Sequence, residues 1–504
     1  MSGGASVIVV GAGVGGLSAA IHLARGGARV TVVERHARAG GRVGEMRRGG
    51  HRFATGPTLL VMPHLYRAEL AALGGDLERD LRPQRVDPTY HLVFDDGARL
   101  DLTSDLVAMS AQLEAVETGS TGGLLRYLAE GRRHYDLAMP ALVERDFRTA
   151  REFLAPRTVA AALRLRAWQP HYRHMADFFA APRLRAAFSF QDVYMGLSPF
   201  RAPATFSLTP FSELAHGVWY PDGGMRRIVD VLVGLAEEAG VRFVYGEPVT
   251  RIGLAGGRAT GVVLSEGRTL SADAVLVNAD LPYAYRHLLP DREAARRVCR
   301  RRFSGSAISF FWGLDTPCAG LAPHTLFLAD DYRDNFDRIE RNLPLSATPS
   351  LYVHAPGRLD PGAAPAGGDT LVAVVPTGHL TDDGDDAGGP EREAAVWDAA
   401  RETARAAVLR RLALVGFPDL ERHITVEASA TPLDWRDRLN LERGATHGLA
   451  HTLTQLAYLR PHNRHARYRN LYFAGASTHP GTGVPTALVS GRLAARRLLD
   501  DLGE

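Results

Sequence analysis

The chain has 504 residues, of which 45% are hydrophobic and 23% are charged, an ordinary balance for a globular protein of two or three domains. Its 59 basic and 56 acidic side chains nearly cancel, which argues against a dedicated nucleic-acid-binding protein. Every basic residue is arginine, so chemistry that needs a Schiff-base lysine or a P-loop lysine is excluded.

Cysteine content and hydropathy point to a cytoplasmic protein. Two cysteines, Cys299 and Cys318, are too few for a disulfide framework or a cysteine-based zinc site. No His, Asp or Glu group has metal-binding spacing, so no metal is expected. No uncharged apolar run reaches about 18 residues, and the N-terminal apolar run lacks the basic flank of a signal peptide. We expect a protein that is soluble or lies on a membrane surface.

The N-terminus predicts a βαβ unit. Ser6–Val10 and Arg29–Val33 are β-branched apolar runs, and apolar residues recur at helical spacing between them. Gly11-Ala12-Gly13-Val14-Gly15-Gly16 fits the GxGxxG motif after the first strand, and Glu34 ends the second strand. In such units the glycines admit a pyrophosphate and the acid accepts hydrogen bonds from a ribose diol. The pattern predicts a site for FAD or NAD rather than NADP.

A second glycine segment favours FAD. Arg42 follows Glu34 by eight residues, within Ala39-Gly40-Gly41-Arg42. Two glycines and a guanidinium at this point can meet the pyrophosphate from its other side.

The C-terminus repeats the order of strand, glycine-rich turn and helix. Asn470–Ala474 is predicted as a strand, residues 475–485 (GASTHPGTGVP) as the turn, and Thr486–Leu499 as a helix. A sheet that begins at residue 6 and is completed near residue 475 requires a discontinuous domain.

The middle of the chain predicts helices first and strands later. Residues 113–211 have a helical pattern, and a helix is expected at 225–239, followed by short strands. Residues 355–392 are rich in Gly, Pro and Asp and are predicted to form a surface loop. Within it, DDGDD at 382–386 is a candidate calcium site.

These motifs resemble the flavin amine oxidase and phytoene desaturase superfamily, and three further segments are similar to the bacterial phytoene (carotenoid) desaturase family. The segments are FATGPT at 53–58, Phe188-Ser189-Phe190 with GVWYPDGGM at 217–225, and LRPHNR at 459–464 with the NLYFAGASTHPGTGVPTALVSGRLAA that follows. The resemblance runs over nearly the whole chain.

The resemblance implies an α/β fold with a discontinuous, Rossmann-like FAD-binding domain, a substrate-binding α+β domain and a helical, membrane-associating insert. We expect the FAD-binding domain at 1–70, 217–285 and 450–504, the substrate-binding domain at 71–120 and 286–449, and the insert at 121–216.

The resemblance also implies FAD as the cofactor. Val249 would meet the adenine, residues 56–58 would lie near the flavin ring, and residues 482–485 would place N–H groups near flavin N1, where the reduced ring gathers negative charge. The expected cofactor-binding residues are Gly11, Gly13, Gly15, Gly16, Glu34, Arg35, Gly41, Arg42, Gly56, Pro57, Thr58, Val249, Gly475, Thr482, Gly483, Val484 and Pro485.

Three residues are candidates for catalysis on the same resemblance. Arg151 and Glu152 stand where the family has an Arg-Asp pair, with a surface ion pair as the alternative. His479 is a candidate proton shuttle, with a turn histidine held by backbone as the alternative. Ala54 departs from the family, which usually has an acid at this position.

The implied activity is desaturation of a long apolar polyene, phytoene toward ζ-carotene, neurosporene or lycopene, by hydride transfer to flavin N5 with loss of a proton. Alternatives are a later-stage carotenoid desaturase or a carotenoid isomerase of the same family. More remote are a flavin amine oxidase, which usually has a lysine near flavin N5, and a non-catalytic prenyl-binding escort protein. Oxygen and a membrane quinone are both compatible electron acceptors, and the oligomeric state is open.

An apolar substrate requires access to a bilayer. Residues 156–186 carry six arginines and one aspartate, a net charge of +5, interleaved with Val159, Leu163, Leu165, Trp168, Tyr172 and Phe178. A basic amphipathic helix with an interfacial Trp is typical of a monotopic anchor, and a solvated basic face is the alternative. We therefore expect peripheral binding to the inner face of the cell membrane.

The aromatic residues of the insert have two interpretations. They are expected either to line a tunnel for the polyene or to form ordinary core. The set comprises Trp168, Phe178, Phe179, Phe188, Phe190, Phe200, Phe206 and Phe211.

Overall fold

The computed structural model describes residues 4–381 and 389–503. Its strands are β1 (Ser6–Val10), β2 (Arg29–Val33), β3 (Glu45–Arg48), β4 (His51–Ala54), β5 (Gln84–Val86), β6 (Tyr90–Phe94), β7 (Arg99–Leu102), β8 (Val218–Tyr220), β9 (Arg242–Val244), β10 (Val249–Ala255), β11 (Arg258–Leu264), β12 (Thr269–Ser271), β13 (Ala274–Val277), β14 (Ser306–Leu314), β15 (His324–Leu328), β16 (Leu351–His354), β17 (Asp369–Thr377), β18 (Ile424–Ala430) and β19 (Leu471–Phe473).

The α-helices are α1 (Val14–Arg25), α2 (Pro63–Ala72), α3 (Leu77–Leu81), α4 (Leu106–Val116), α5 (Ser120–Ala138), α6 (Ala150–Phe153), α7 (Pro156–Arg164), α8 (His171–Met175), α9 (Pro182–Ala187), α10 (Leu208–His216), α11 (Arg226–Glu238), α12 (Leu281–Tyr283), α13 (Arg292–Cys299), α14 (Tyr332–Glu340), α15 (Gly389–Ala413), α16 (Pro432–Leu439) and α17 (Val484–Gly503).

A five-stranded parallel sheet, in the order β19-β13-β1-β2-β9, carries the glycine motif. β1 is its central strand, and β13 and β19 come from residues more than 250 positions further along the chain. The strands of the predicted N-terminal βαβ unit and the predicted C-terminal strand therefore belong to one sheet, and the C-terminal helix α17 packs against it. The residue bounds of the three expected domains stay a prediction.

Both faces of this sheet are covered, because successive side chains of a strand point to opposite sides. Val7 and Val9 pack with residues of α1, α11 and α17 in one core. Ile8 and Val10 pack on the other side with the antiparallel β10-β11-β12 sheet. The parallel sheet is thus buried between a helical layer and a small sheet, as its nearly continuous apolar strands require.

A second sheet of seven strands, in the order β18-β14-β17-β16-β15-β6-β7, is antiparallel except for the β15–β6 pair. Leu92 and Leu326 on one face pack against α4 and α5. Val93 and Phe327 on the other face pack in the core that α15 closes.

The helical middle of the chain is confirmed, but its basic segment is not one helix. Residues 156–186 form α7, α8 and α9. Pro170 precedes α8 and Pro182 opens α9, and a proline inside a helix would remove a backbone hydrogen bond and clash with the preceding turn. The prediction of a single amphipathic helix was therefore wrong.

The prediction of a surface loop over 355–392 was also wrong in part. Residues 369–377 form β17 in the interior of the seven-stranded sheet, because the apolar run at 371–375 is buried between its neighbours. The candidate calcium segment at 382–386 lies outside the described residues. Among the residues that the structure describes, no helix is long and apolar enough to cross a membrane.

Candidate active site

A cavity of about 860 Å³ lies between the two sheets and the helical insert. One end is formed by the glycine-rich turns that follow β1, β4 and β19, and the other end is apolar. Every expected cofactor-binding residue except Gly16 lines the cavity. Gly16 lies one residue further along α1, fully inside the core.

Two backbone requirements explain the glycines of the first turn. Gly11 has a φ of 97°, which L side chains rarely adopt. A Cβ on Gly16 would lie 2.2 Å from the Gly11 carbonyl oxygen, so α1 could not begin so close to the strand. The close approach leaves the first N–H groups of α1 at the cavity, where a phosphate would meet them.

Glu34 is held by backbone at the end of β2. Its Oε2 accepts a hydrogen bond from Ala12 N at 2.8 Å, and its Oε1 accepts one from His36 N at 2.9 Å. The carboxylate is 6% exposed and lines the cavity, so it is fixed against the glycine turn. A carboxylate oxygen takes two hydrogen bonds, which leaves capacity for a ribose diol.

Arg42 lies at the base of the same end of the cavity, beside Asp280. Its Nη2 is 3.5 Å from Asp280 Oδ1, and its buried Nε has no hydrogen-bond partner among the described residues. Asp280 in turn accepts from Ser477 Oγ at 2.7 Å. The acid positions the guanidinium, and burial lowers the pKa of Arg42. An orphaned guanidinium donor fits an incoming pyrophosphate.

Residues 56–58 form the wall between the two ends of the cavity. A Cβ on Gly56 would lie 1.8 Å from the Arg42 carbonyl oxygen, so only glycine fits. Thr58 Oγ1 is 2.6 Å from the Tyr352 hydroxyl, which joins this wall to the seven-stranded sheet. Pro57 and Ala54 also face the cavity.

Buried side chains hold the C-terminal turn in place. Arg460, 1% exposed, donates from its guanidinium to Thr478 O at 3.0 Å and Leu449 O at 3.1 Å, and also to Ala476 O. Burial lowers the pKa of Arg460 to about 9. This cation fixes the carbonyls of the turn and so holds the start of α17 at the cavity.

The same turn is fastened at two further points. Thr482 N donates to His451 Nε2 at 3.1 Å, and Gly475 N donates to Ser490 Oγ at 3.0 Å. Gly475 and Gly483 both have a φ of 119°, a conformation that favours glycine.

Arg35 and Val249 lie at the outer end of the glycine-lined region. Arg35 hydrogen-bonds Asn440 Oδ1 and donates to Asp437 O at 3.3 Å. Val249 begins β10 and is buried. Both line the cavity beside Glu34, where the adenosine end of a dinucleotide is expected.

The structure does not bring Arg151 and Glu152 to the cavity. Arg151 is exposed on the short helix α6. Glu152 N is capped by Thr149 Oγ1 at 3.3 Å, and its carboxylate accepts from Arg148 N at 3.3 Å. These contacts are those of a helix start and favour the surface alternative, so a catalytic role for the two residues stays a prediction.

His479 does line the cavity, but its ring is fixed. Its Nε2 donates to Arg145 O at 2.8 Å, and its Nδ1 is buried without a partner among the described residues. Burial lowers the pKa of His479 to about 4, so the ring is neutral at pH 7. The role as a proton shuttle stays a prediction, with Nδ1 as the atom free to take part.

The apolar end of the cavity draws on several parts of the chain. Its aromatic and aliphatic lining includes Met62, Leu142, Val143, Phe153, Val193, Phe206, Phe311, Leu326, Phe336, Val372 and Leu456. Of the insert aromatics considered as a tunnel, Phe206 lines this cavity, whereas Phe178, Phe179, Phe188, Phe190 and Phe211 belong to the core.

The sequence predicts no metal site, but the fold brings one candidate group together. Ligand atoms of Glu130, His134 and His174 all lie within 4.8 Å of one another. His174 Nε2 is 3.0 Å from Glu130 Oε1 and lowers the pKa of that carboxyl. Arg166 Nη2 is 3.9 Å from the second oxygen of Glu130. The Glu130 carboxylate thus already has an imidazole and a guanidinium beside it, so we assign a carboxylate–imidazole cluster.

Three residues of the site were missed from the sequence: Asn278, Asp280 and Arg460. Asn278 Nδ2 donates to Ala474 O at 3.0 Å, and its side chain lies against Gly13 and Gly15. It therefore joins the two glycine turns. Sequence position could have identified two of them. Asn278 and Asp280 directly follow strand β13 at the carboxyl edge of a parallel sheet, where ligands bind.

The residues present fit FAD. The glycine turns leave no room for side chains, Glu34 and Arg42 offer the acid and the cation that ribose and pyrophosphate need, and the apolar end adjoins residues 56–58. The fold and this site define a dinucleotide-dependent oxidoreductase with an apolar substrate cavity.

Residues 14–499 match the family model "Flavin containing amine oxidoreductase", and the chain belongs to this family. It is a flavin-dependent oxidoreductase with FAD as its cofactor, as predicted. The fold is shared with wild-type putrescine oxidase bound to putrescine, at a TM-score of 0.65 and 17% identity, covering 99% of both chains.

Named relatives are closer in sequence. The chain is 42% identical to the zeta-carotene-forming phytoene desaturase of Myxococcus xanthus, over 98% of this chain and 94% of the relative. It is 38% identical to the phytoene desaturase of Neurospora crassa, over 98% and 85%. It is 36% identical to the all-trans-zeta-carotene desaturase of M. xanthus, over 99% and 94%. The expected resemblance to phytoene desaturases is confirmed.

Proposed function

We propose that the protein desaturates phytoene toward ζ-carotene, neurosporene or lycopene. The observation that carries the proposal is a single cavity in which glycine turns for a dinucleotide open directly into an apolar chamber. An apolar chamber matches a polyene, which has no polar group to recognise. The named desaturases among the relatives support the same substrate class.

When bound, FAD supplies a two-electron acceptor. The chain's own residues bind the cofactor and align the substrate. Glu34 and Arg42 would hold the ribose and the pyrophosphate, and the N–H groups of Gly483 and Val484 would face the negative charge of the reduced ring. The apolar chamber would exclude water and align one CH2–CH2 unit of the polyene, whose neighbouring double bonds stabilise a developing cation.

Exposed apolar side chains beside the cavity support this substrate class. Leu154 is 65% exposed, Leu163 is 56% exposed and Trp168 is 60% exposed, and chain neighbours of all three line the cavity. Those neighbours are Phe153, Ala162 and Ala167. Apolar side chains exposed beside an apolar cavity suit entry of a lipid-soluble substrate.

Basic residues flank this apolar surface. Arg157, Arg164 and Arg173 are exposed, whereas Arg166 pairs with Asp177 at 2.5 Å and Arg183 pairs with Asp96 at 2.8 Å. Three exposed arginines around exposed apolar side chains favour an anionic membrane surface. We place the protein in the cytoplasm, bound peripherally to the inner face of the cell membrane.

Co-expression in a phytoene-accumulating host tests the function. The expected result is loss of phytoene and appearance of ζ-carotene, neurosporene or lycopene, resolved by chromatography and absorbance. Conversion of a supplied later intermediate with phytoene untouched would indicate a later-stage desaturase, and a changed bond geometry without oxidation would indicate an isomerase. Repeating the assay on isolated membranes, with oxygen or with a quinone, identifies the electron acceptor.

A further inference from the structure

A buried carboxyl lies two hydrogen bonds from the cavity wall. Tyr194 lines the cavity, and its hydroxyl donates to the Tyr90 hydroxyl. The Tyr90 hydroxyl donates to Glu213 Oε1 at 3.0 Å. The three side chains therefore form a continuous hydrogen-bonded path from the substrate chamber to a carboxyl that is 4% exposed.

Three separate elements build this path. Tyr90 opens β6, Tyr194 lies in a 3-10 turn at 190–195, and Glu213 lies on α10. The Phe190 ring packs edge-on against Tyr90 with centroids 5.3 Å apart, so the path is walled by aromatic rings. Hydroxyls hydrogen-bonded in series in such a setting can pass a proton along the series.

The second oxygen of Glu213 can serve both protonation states. Oε2 accepts from Gln191 Nε2 at 3.1 Å, and the buried Gln191 Oε1 has no partner among the described residues. Reversing the Gln191 amide would turn Oε1 toward Oε2 as the acceptor for a protonated carboxyl. The site is therefore satisfied with the proton present and with it absent.

The groups that face Glu213 do not force it to ionise. The titratable neighbours are the phenols of Tyr90, Tyr127 and Tyr194. Burial raises the pKa of Glu213 to about 8, opposed in part by the hydrogen bonds from Gln191 and Tyr90. A carboxyl with a pKa near neutral is suited to taking up and releasing a proton.

We propose that Glu213, reached through Tyr194 and Tyr90, accepts the proton that desaturation releases. The inference rests on the proposed function and names a base within hydrogen-bonded reach of the cavity. Two hydrogens leave adjacent carbons. One leaves with its electron pair, in the two-electron oxidation for which FAD is the acceptor. The other leaves as a proton, and the electrons of its C–H bond become the new π bond.

The proton passes along the path in one concerted shift. Tyr194 oxygen takes the proton from carbon, the Tyr194 hydroxyl proton moves to Tyr90, and the Tyr90 proton moves to Glu213. A carboxylate becomes a carboxylic acid and both phenols are restored. The oxygen or quinone that later takes the electrons also takes up protons, so the same path returns the proton to the chamber.

Glu213→Gln and Tyr90→Phe test the path in the holoenzyme. We expect both variants to retain FAD and to lose activity on phytoene by about 100-fold, the usual contribution of a general base. Tyr127→Phe is the matched control, because the buried Tyr127 hydroxyl donates to Ser207 O at 2.7 Å outside the path. It should keep wild-type activity. Wild-type activity in Glu213→Gln or Tyr90→Phe would overturn the proposal.

The pH profile and an infrared titration give readouts that a merely structural role would not move. Wild-type activity should rise through pH about 8 as the carboxyl ionises, and Glu213→Gln should lack this rise. Without substrate, a protonated-carboxyl C=O band should fade over the same range in the wild type and in Tyr127→Phe, and be absent in Glu213→Gln.

Failure of the path and failure of the function are distinguishable. Absence of the infrared band, or an unchanged pH profile in Glu213→Gln, would overturn the path in an enzyme that still desaturates. A wild-type enzyme that binds FAD and leaves every polyene unchanged would overturn the proposed function, and the path with it.

Discussion

Single backbone atoms decide which residues the cofactor end of the cavity accepts. The GxGxxG motif predicts this end of the cavity from the sequence, because its spacing and its place after a strand are typical of dinucleotide binding. The steric reason is visible only in the fold, where carbonyl oxygens of Gly11 and Arg42 occupy the space that a Cβ on Gly16 or Gly56 would need.

Gly56→Ala tests this steric account. The added Cβ would meet Arg42 O at 1.8 Å, so the segment must shift at a cost of about 1–3 kcal/mol. FAD affinity should fall about tenfold to a hundredfold, measured by flavin fluorescence titration. Gly234→Ala is the control, because its Cβ would meet no heavy atom within 4 Å and should leave affinity unchanged. Equal affinities in the two variants would refute the account.

The position of Asp280 after a strand could have marked it as a site residue, but its contact with Arg42, 238 positions away, was not predictable from the sequence. Asp280→Asn removes a buried negative charge beside the half-buried guanidinium of Arg42, and such a loss is destabilising. FAD brings a pyrophosphate to the same guanidinium, so the melting temperature should fall more without FAD than with FAD. Asp136→Asn, in a surface pair with Arg132, should show little difference. An equal fall with and without FAD would contradict the assignment.

Glu213 should also affect how stability varies with pH. Its pKa is about 8 in the folded protein against 4.5 for the free side chain, so between these values the folded state binds a proton that the unfolded state has lost. Its contribution to the free energy of unfolding therefore decreases as pH rises through this range. Glu213→Gln should gain stability relative to wild type from pH 5 to pH 8 in thermal melts. A constant difference would contradict the raised pKa.

At the scale of elements, periodicity identified the parts that local sequence controls. The N-terminal βαβ unit and the strand and helix at the C-terminus were predicted nearly at their observed bounds, because their apolar patterns are strong and glycines lie at their ends. The segment at 156–186 was not, because its prolines divide it into three helices. β17 was missed, because Gly and Pro flank its apolar run and predict a loop. The run is buried only by pairing with β14 and β16.

The exposed face of α7 and the turn after it form the proposed membrane contact. Replacing both Leu163 and Trp168 by Glu should weaken binding to anionic vesicles by about tenfold or more, since each apolar side chain contributes about 1.5–3 kcal/mol when buried. Flotation with phosphatidylglycerol vesicles measures it. Val396→Glu on α15, across the seven-stranded sheet and 58% exposed, should bind like wild type. Unchanged binding of the double variant would remove the proposed membrane face.

At the scale of the whole molecule, one cavity is assembled from turns after strands of both large sheets and from the insert. The sequence named most of the cofactor end, because glycine motifs are local. It did not name the apolar end or the Tyr194–Tyr90–Glu213 path. Those residues carry no spacing signal and meet only when β6, α10 and the 190–195 turn pack together. The aromatic content of the insert alone could not show which aromatic residues line the chamber and which belong to the core.

Anaerobic single turnover tests whether the bound flavin itself oxidises phytoene. Purified holoenzyme would be mixed without oxygen with phytoene in anionic vesicles, and flavin absorbance and extracted carotenoids would be followed together. The account predicts bleaching of the flavin with one new double bond formed per flavin reduced. If the flavin stays oxidised and phytoene stays intact while the enzyme holds FAD and is bound to the vesicles, the proposed desaturation is contradicted.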